Sequence, residues 1–332
     1  MSDAPFQKLL ASLKKDRGMF SGKPENVPRL KVGIAGVDYL FGGGVPLGRA
    51  IELYGFEGSG KTTLTAEIAR AFQLAGKRVL YLDYEHSVDL SYFRRIGLAF
   101  EEELWLYDTP KYMEQGLDAA NELVKTGGIG LVVIDSVASM VPKDELEGPI
   151  EDYSVGLQAR KLGQALRVIT GTLDIHKTSI IFINQLRQKI GGNPYELRID
   201  PTTTPGGVAL KFYASIRCEM RKVGKDGERF VHRLRLTKQK TAAIKTLVTE
   251  FLIGDGGIDR LDHLRRCLVN AGVIYANGSH YFFKPTGKEE ERLAHGEEKL
   301  KEYFSANTNR LSEFISRLYS VYENNNASSA GP

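Results

Sequence analysis

The segment Gly55-Phe56-Glu57-Gly58-Ser59-Gly60-Lys61-Thr62 has the spacing G-x-x-x-x-G-K-[ST]. Its glycines let backbone N–H groups turn inward around phosphate oxygens, and a helix opening at Lys61 adds the positive end of its dipole. In that arrangement Lys61 neutralises the β- and γ-phosphates of ATP, and the Thr62 hydroxyl ligates Mg²⁺. The run LVVID ends in Asp135, which places a carboxylate at the edge of a buried strand beside the loop, where it can hold the same ion. A third edge, Asp83-Tyr84-Glu85-His86, offers Glu85 as acceptor for the proton of an attacking water. His86 has no partner at metal-ligand spacing and reads as structural. Asn184-Gln185 closes the run IIFIN, and an amide there can hydrogen-bond a γ-phosphate and shift when it leaves. Behind it, Leu186 to Gly207 is broken by glycines and by Pro194, Pro201 and Pro205. A loop of that length inside a compact domain is usually functional, and a phosphate sensor hinged to it would act as a switch.

These residues need a scaffold that brings strand ends together. IELY (51–54), VLYLD (79–83), LVVID (131–135) and IIFIN (180–184) are apolar runs separated by helical stretches at 61–74, 112–124 and 155–174. Strands apolar throughout and alternating with helices predict an α/β fold, its mostly parallel central sheet flanked by helices on both faces. The runs 214–220, 229–238 and 247–253 lack long intervening helices and are expected to extend that sheet in antiparallel fashion. Ahead of this core (30–254), residues 1–29 carry Phe6, Leu9, Leu10 and Leu13 on one helical stripe, followed by a polar linker. So short an amphipathic helix must dock on its own globule or on another subunit. Beyond Gly254, stripes at Leu261, Leu264 and Leu268 and at Leu311, Phe314, Ile315 and Leu318 predict a small C-terminal α+β domain over 255–323. A disordered tail is expected over 324–332.

Composition narrows the classes. The 332 residues are 42% hydrophobic and 26% charged, enough apolar material for a sizeable core. No run of about 18 apolar residues predicts a membrane span, and the polar, basic start does not read as a secretory signal. Cys218 and Cys267 are too far apart in sequence to form a disulfide framework or a zinc motif, and read as buried thiols of a cytoplasmic protein. With 45 Lys+Arg against 41 Asp+Glu, the net charge of +4 is too small to indicate nucleic-acid binding by itself. The charges are unevenly spread, however: Arg221 to Lys245 holds nine basic residues and two acids.

The ordered set GFEGSGKT, DYEH, LVVIDS, FINQLRQKIG and TTTPGGVALKFYAS closely resembles the bacterial RecA recombinases, from about Val32 to Gly256. A phosphate loop alone is shared by many families; the FINQ and TTTPGG segments are far more specific. The resemblance implies a RecA-like P-loop ATPase core, ATP with Mg²⁺ as cofactors, and a helical homo-oligomer on single- and double-stranded DNA. Gly55, Glu57, Gly58, Ser59, Gly60, Lys61, Thr62 and Thr63 then form the phosphate site. Thr62 and Asp135 hold the metal, and Asp89 and Tyr92 contact adenine. Glu85 activates water, Gln185 senses the γ-phosphate, and Lys238 and Lys240 act across the protomer interface. Lys211, Phe212 and the N-terminal stripe are implied to face a neighbouring subunit.

Two DNA-binding loops are implied, Glu145 to Val155 and Leu186 to Gly207. The first is acidic here, so positive charge must come from elsewhere. Arg160 and Arg167 lie seven apart, off the apolar stripe of their helix, and match arginines that contact DNA phosphates, giving affinity without sequence preference. Arg187 belongs to the same set. Ile190 matches a side chain wedged between base triplets, and Gly206 and Gly207 would admit backbone to phosphate. Val155 stands where a methionine is common, Pro205 is inserted before the glycine pair, and Val208 replaces a frequent asparagine. The acidic C-terminal tail of the family is not found, which leads one to expect less restrained duplex binding. The implied function is an ATP-dependent recombinase that forms filaments on single-stranded DNA and exchanges strands with homologous duplex. A ring helicase or translocase on the same core is the alternative, and the TTTPGGVALKFYAS segment weighs against it.

Overall fold

The chain's structure is a computed structural model, and it describes residues 4–17, 27–149, 156–188, 202–244, 248–283 and 289–328. The chain begins with α1 (Ala4–Arg17) and a short antiparallel ladder of β1 (Arg29–Leu30) with β2 (Val45–Pro46), which brackets α2 (Ala35–Leu40). Five parallel strands follow: β3 (Ala50–Gly55), β4 (Val79–Asp83), β5 (Trp105–Asp108), β6 (Leu131–Asp135) and β7 (Ser179–Gln185). Between them run α3 (Lys61–Leu74), α4 (Leu90–Ile96), α5 (Met113–Lys125), α6 (Lys143–Glu147) and α7 (Leu157–His176). Successive side chains of a strand point to opposite faces, and both faces are covered. Leu131, Val133, Ile181 and Ile183 pack with Leu64, Ile68 and Phe72 of α3. Val132, Ile134, Ile180 and Phe182 pack with Leu117 and Val124 of α5 and Leu162, Leu166 and Ile169 of α7. That double burial is why these strands read as unbroken apolar runs.

After β7 come a two-residue ladder of β8 (Arg187–Gln188) with β9 (Thr202–Thr203), and α8 (Gly207–Tyr213). Then β10 (Ile216–Asp226), β11 (Arg229–Gln239), β12 (Val248–Gly254) and β13 (Gly257–Ile258) complete a nine-stranded sheet of order β13-β12-β11-β10-β3-β7-β6-β4-β5. The expectation of a wholly antiparallel extension needs correcting. β10 pairs parallel with β3, from Ile216 opposite Ile51 to Met220 opposite Gly55, and only then antiparallel with β11. The connection through the long loop and α8 is crossover enough to bring the chain back in parallel, although its helix has only 7 residues.

The remainder is α9 (Arg260–Asn270), a three-stranded sheet of β14 (Ile274–Asn277), β15 (His280–Phe283) and β16 (Glu291–His295), then α10 (Glu297–Ala306) and α11 (Thr308–Ser328). Its own core gathers Leu264, Leu268, Ile274, Phe283, Phe304, Phe314 and Leu318. β13 pairs antiparallel with β12, so Gly257 and Ile258 lie at the edge of the large sheet. Similarly, Arg29 is already tied into the core through its guanidinium and the Thr241 carbonyl (2.6 Å). Helix α11 runs on to Ser328, through residues expected to be tail. Residues 18–26, which include most of the expected linker over 21–28, and residues 329–332 lie outside the described residues. Both cysteines are buried and unbridged. Among the described residues no helix is long and apolar enough to cross a membrane.

Candidate nucleotide site and nucleic-acid interface

Four parallel strands, β3, β4, β6 and β7, end on the same edge of the sheet, the edge where open α/β sheets bind ligands. β3 runs straight into the phosphate loop and α3. Gly55 is compulsory there, since a Cβ would lie 2.1 Å from the Met220 carbonyl oxygen of neighbouring β10. Gly58 and Gly60 take the left-handed φ values +66° and +91° that turn the loop. Lys61 Nζ reaches back to the carbonyls of Gly55 (3.0 Å) and Phe56 (2.8 Å) and to Ser59 Oγ (3.4 Å). Burial pulls the Lys61 pKa down, against the pull of Asp135, Glu85 and Glu57. Glu57 itself stands exposed on the rim of the loop.

Thr62 Oγ1 donates to Asp135 Oδ2 at 3.2 Å, and Tyr81 OH donates to the same oxygen at 2.6 Å. Burial pushes the Asp135 carboxyl up to about 6, with the charges of Glu85 and Asp83 adding to the rise. The donor set fits Mg²⁺. Two hard oxygens meet beside the glycine loop, and among the described residues no cluster of three His, Cys, Asp or Glu could cage a metal alone. Magnesium characteristically takes one or two protein oxygens together with substrate phosphates.

Glu85 lies beside this pair. Its Oε1 accepts from Gln185 Nε2 at 2.7 Å and from the Ser136 hydroxyl. Asp83 shapes the turn that presents it, accepting from Glu85 N (3.0 Å), Val88 N (3.2 Å) and Tyr107 OH (3.0 Å). On the other flank, Thr63 Oγ1 and Tyr92 OH are 3.0 Å apart. Asp89 caps α4, accepting from Ser91 N and Tyr92 N, and its hydrogen bond from the Ser91 hydroxyl holds its pKa below the usual range.

From Gln185 a bonded path leads away from the site. Gln185 closes β7, and Asn184 Nδ2 donates to the Pro205 carbonyl (3.0 Å), clasping the far stem of the second loop. The Arg187–Thr203 pair of the β8–β9 ladder clasps the near stem. At the end of α8, Lys238 Nζ donates to the carbonyls of Lys211 and Phe212, and Lys240 Nζ to that of Phe212 (2.9 Å). Burial, reinforced by the charge of Lys240, brings the Lys238 pKa down to about 8. The Phe212 ring is 67% exposed beside these lysines, and Lys211 is half-buried.

Arg160 and Arg167 are exposed on α7, the helix on which α8 packs through Ala159 and Gly163. Arg187 is exposed at the start of β8. Gly206 and Gly207 have a packing reason of their own. A Cβ on Gly207 would lie 2.7 Å from Ala159 Cβ, and one on Gly206 3.0 Å from both Leu162 and Val137. Val155, Ile190 and most of both loops lie outside the described residues. On α1, Phe6 and Leu9 are each 60% exposed and Leu10 is half-buried; the side chain of Leu13 is not among those described.

Several contributors carry no motif. Glu52, fully buried, accepts from Asn184 Nδ2 (2.9 Å) and pairs with Arg217 Nε (2.5 Å), joining β3, β7 and β10 beneath the loop. An acid inside the apolar run IELY was the available signal, because a buried charge requires a partner. Tyr81 and Ser136 were hidden because each lies in, or next to, a run whose apolar pattern already accounted for it.

Fold and site define a P-loop ATPase of the α/β class. The family model of the RecA N-terminal domain matches residues 17–258. Protein RecA of Nitratidesulfovibrio vulgaris (strain DP4) is 41% identical over 288 residues, 85% of this chain and 78% of that protein. Protein RecA 1 of Myxococcus xanthus is 39% identical over 310 residues, 89% and 86% of the two chains. A crystal structure of the RadB recombinase aligns with a TM-score of 0.53 at 25% identity, covering 69% of this chain and 98% of that one. The chain belongs to the RecA family, and as a member it is a DNA-dependent ATPase of the recombinase class.

Proposed function

We propose that this protein assembles as an ATP-gated helical filament on single-stranded DNA, pairs that strand with homologous duplex and exchanges the strands. The observation that carries the gating is the bonded path from Glu85 through Gln185 to the stems of the second loop. On this reading Lys61 and the loop amides bind the triphosphate, Thr62 and Asp135 hold Mg²⁺, and Asp89 and Tyr92 meet the base. Glu85 takes the proton from water, while Lys61 and the interfacial Lys238 and Lys240 offset charge developing on the phosphate. Mg²⁺ held by Thr62 and Asp135 would neutralise phosphate charge. Gln185, freed from or returned to Glu85, reports the γ-phosphate to the loop. Arg160, Arg167 and Arg187 provide phosphate contacts, and Phe6, Leu9 and Phe212 face the neighbouring protomer.

The hydrolytic part is tested by phosphate release with and without single-stranded DNA. Glu85→Gln should lower the stimulated rate about 10²- to 10⁴-fold, the usual contribution of a general base, while leaving binding of an ATP analogue intact. Electron microscopy of the same variant on DNA with ATP should show helical filaments. Closed rings would contradict the assembly proposed here.

A further inference from the structure

The back of the phosphate loop rests on side chains from the antiparallel part of the sheet. A Cβ placed on Gly60 would lie 2.5 Å from Ile253 Cδ1, 3.1 Å from His232 Nδ1 and 3.4 Å from Met220 Cε. These three belong to β12, β11 and β10. Ile253 and Met220 are apolar, whereas His232 puts its Nδ1 2.8 Å from the Ser59 carbonyl oxygen. A carbonyl only accepts, so Nδ1 carries the proton and donates. His232 is 6% exposed. Burial pulls its pKa down against the opposing effect of the hydrogen bond to Ser59, and the nearby charge of Lys222 lowers it further.

The Ser59–Gly60 peptide is planar and trans, so its C=O and N–H point in opposite directions. With the carbonyl turned back onto His232, the Gly60 N–H faces the opposite side, where the loop receives phosphate. A loop that turns its N–H groups inward must turn carbonyls outward, and a buried carbonyl without a donor is costly. Along β11, position 232 shares a face with buried Leu234 and Leu236. A residue chosen for packing alone would be apolar there. Lower on the same strand, Arg229 pairs with Asp259 (3.0 Å), anchoring β11 to the C-terminal domain.

We propose that His232 is a positioning residue for the nucleotide: its Nδ1–H holds the Ser59 carbonyl away from the phosphates and thereby aims the Gly60 N–H at them. The inference rests on reading Gly55–Thr62 as the ATP site. The test is the affinity for Mg-ADP by calorimetry, together with KM and kcat for ATP in the presence of single-stranded DNA.

His232→Leu should bind Mg-ADP roughly tenfold more weakly, about 1.4 kcal/mol, and raise KM for ATP, and its nucleotide-free thermal unfolding temperature should fall because the Ser59 carbonyl loses its donor. His232→Asn, whose amide can donate to the same carbonyl, should recover most of the affinity. Unchanged ADP affinity in His232→Leu overturns the proposal, and so does His232→Asn binding as weakly as His232→Leu. If His232→Leu does not fold, His232→Asn decides alone: affinity near the unmutated value supports the proposal, and affinity as low as that of Lys61→Ala overturns it. Lys61→Ala keeps the two claims apart. Unweakened ADP binding in that variant would refute the site itself, whatever the His232 variants do.

Discussion

Asp135 shows how the site stores a cost that its ligand relieves. In the unfolded chain its carboxyl would titrate near 3.8, and burial in the fold raises it to about 6. The folded state therefore holds an extra proton between those values. Its contribution to stability is present below the lower value and lost as pH rises through the upper one. At pH 7 the nucleotide-free protein carries a buried carboxylate, a penalty of up to about 3 kcal/mol. Asp135→Asn keeps an acceptor for Tyr81 and Thr62 but removes the charge. It should raise the nucleotide-free unfolding temperature at pH 7, give no such gain at pH 4, and abolish Mg²⁺-dependent ATP hydrolysis. A variant less stable than the parent at pH 7 would contradict this account of the site.

At the scale of elements, the contact of α8 with α7 joins the proposed DNA face to the core. Gly207, at φ +68° and with Ala159 Cβ 2.7 Å from where its own Cβ would be, leaves no room for a methyl group. Gly207→Ala should cost about 1–3 kcal/mol, the usual price of overpacking, read from urea unfolding. Arg160 and Arg167 are exposed on α7. If both meet DNA phosphates, replacing the pair with Ala should reduce the slope of log affinity against log salt for single strands by about 0.7 per contact. An unchanged slope would remove them from the interface.

Much at this scale was legible in advance. α3, β4 and β6 have the expected bounds because a glycine-rich start or an unbroken apolar run leaves little latitude. The start of α7 shifted to Leu157, after Gly156 in a left-handed conformation at φ +81°, where apolar spacing had suggested Val155. The parallel pairing of β10 was not legible, since strand direction depends on where the preceding loop returns the chain. Nor was the second reason for Gly206 and Gly207, because close helix packing leaves no mark beyond the glycines themselves. His232 could have been noticed as a polar residue on the inward face of an alternating strand. Its partner, a carbonyl of the phosphate loop, could not.

For the whole molecule, the sheet extension links three parts. β10 to β12 back the phosphate loop, carry Lys238 with Lys240 just past the end of β11, and meet α9, which also docks on the core through Gly36 N to His263 Nε2 (3.0 Å) and Glu67 with Arg260 (2.5 Å). Seven of the nine basic residues between Arg221 and Lys245 fall on β10 and β11, so the small net charge of +4 conceals a local concentration of positive charge. The proposed nucleotide site, the stems of the second loop and the region from α9 onward thus all adjoin one sheet, the arrangement that the proposed resetting of DNA affinity by hydrolysis needs. The most direct measurement is strand exchange between circular single-stranded and homologous linear duplex DNA with ATP and Mg²⁺. The account predicts joint molecules and nicked-circle products from the unmutated protein, and their loss in Lys61→Arg. If the unmutated protein hydrolyses ATP on single-stranded DNA yet forms no joint molecules, the proposed strand-exchange function is contradicted.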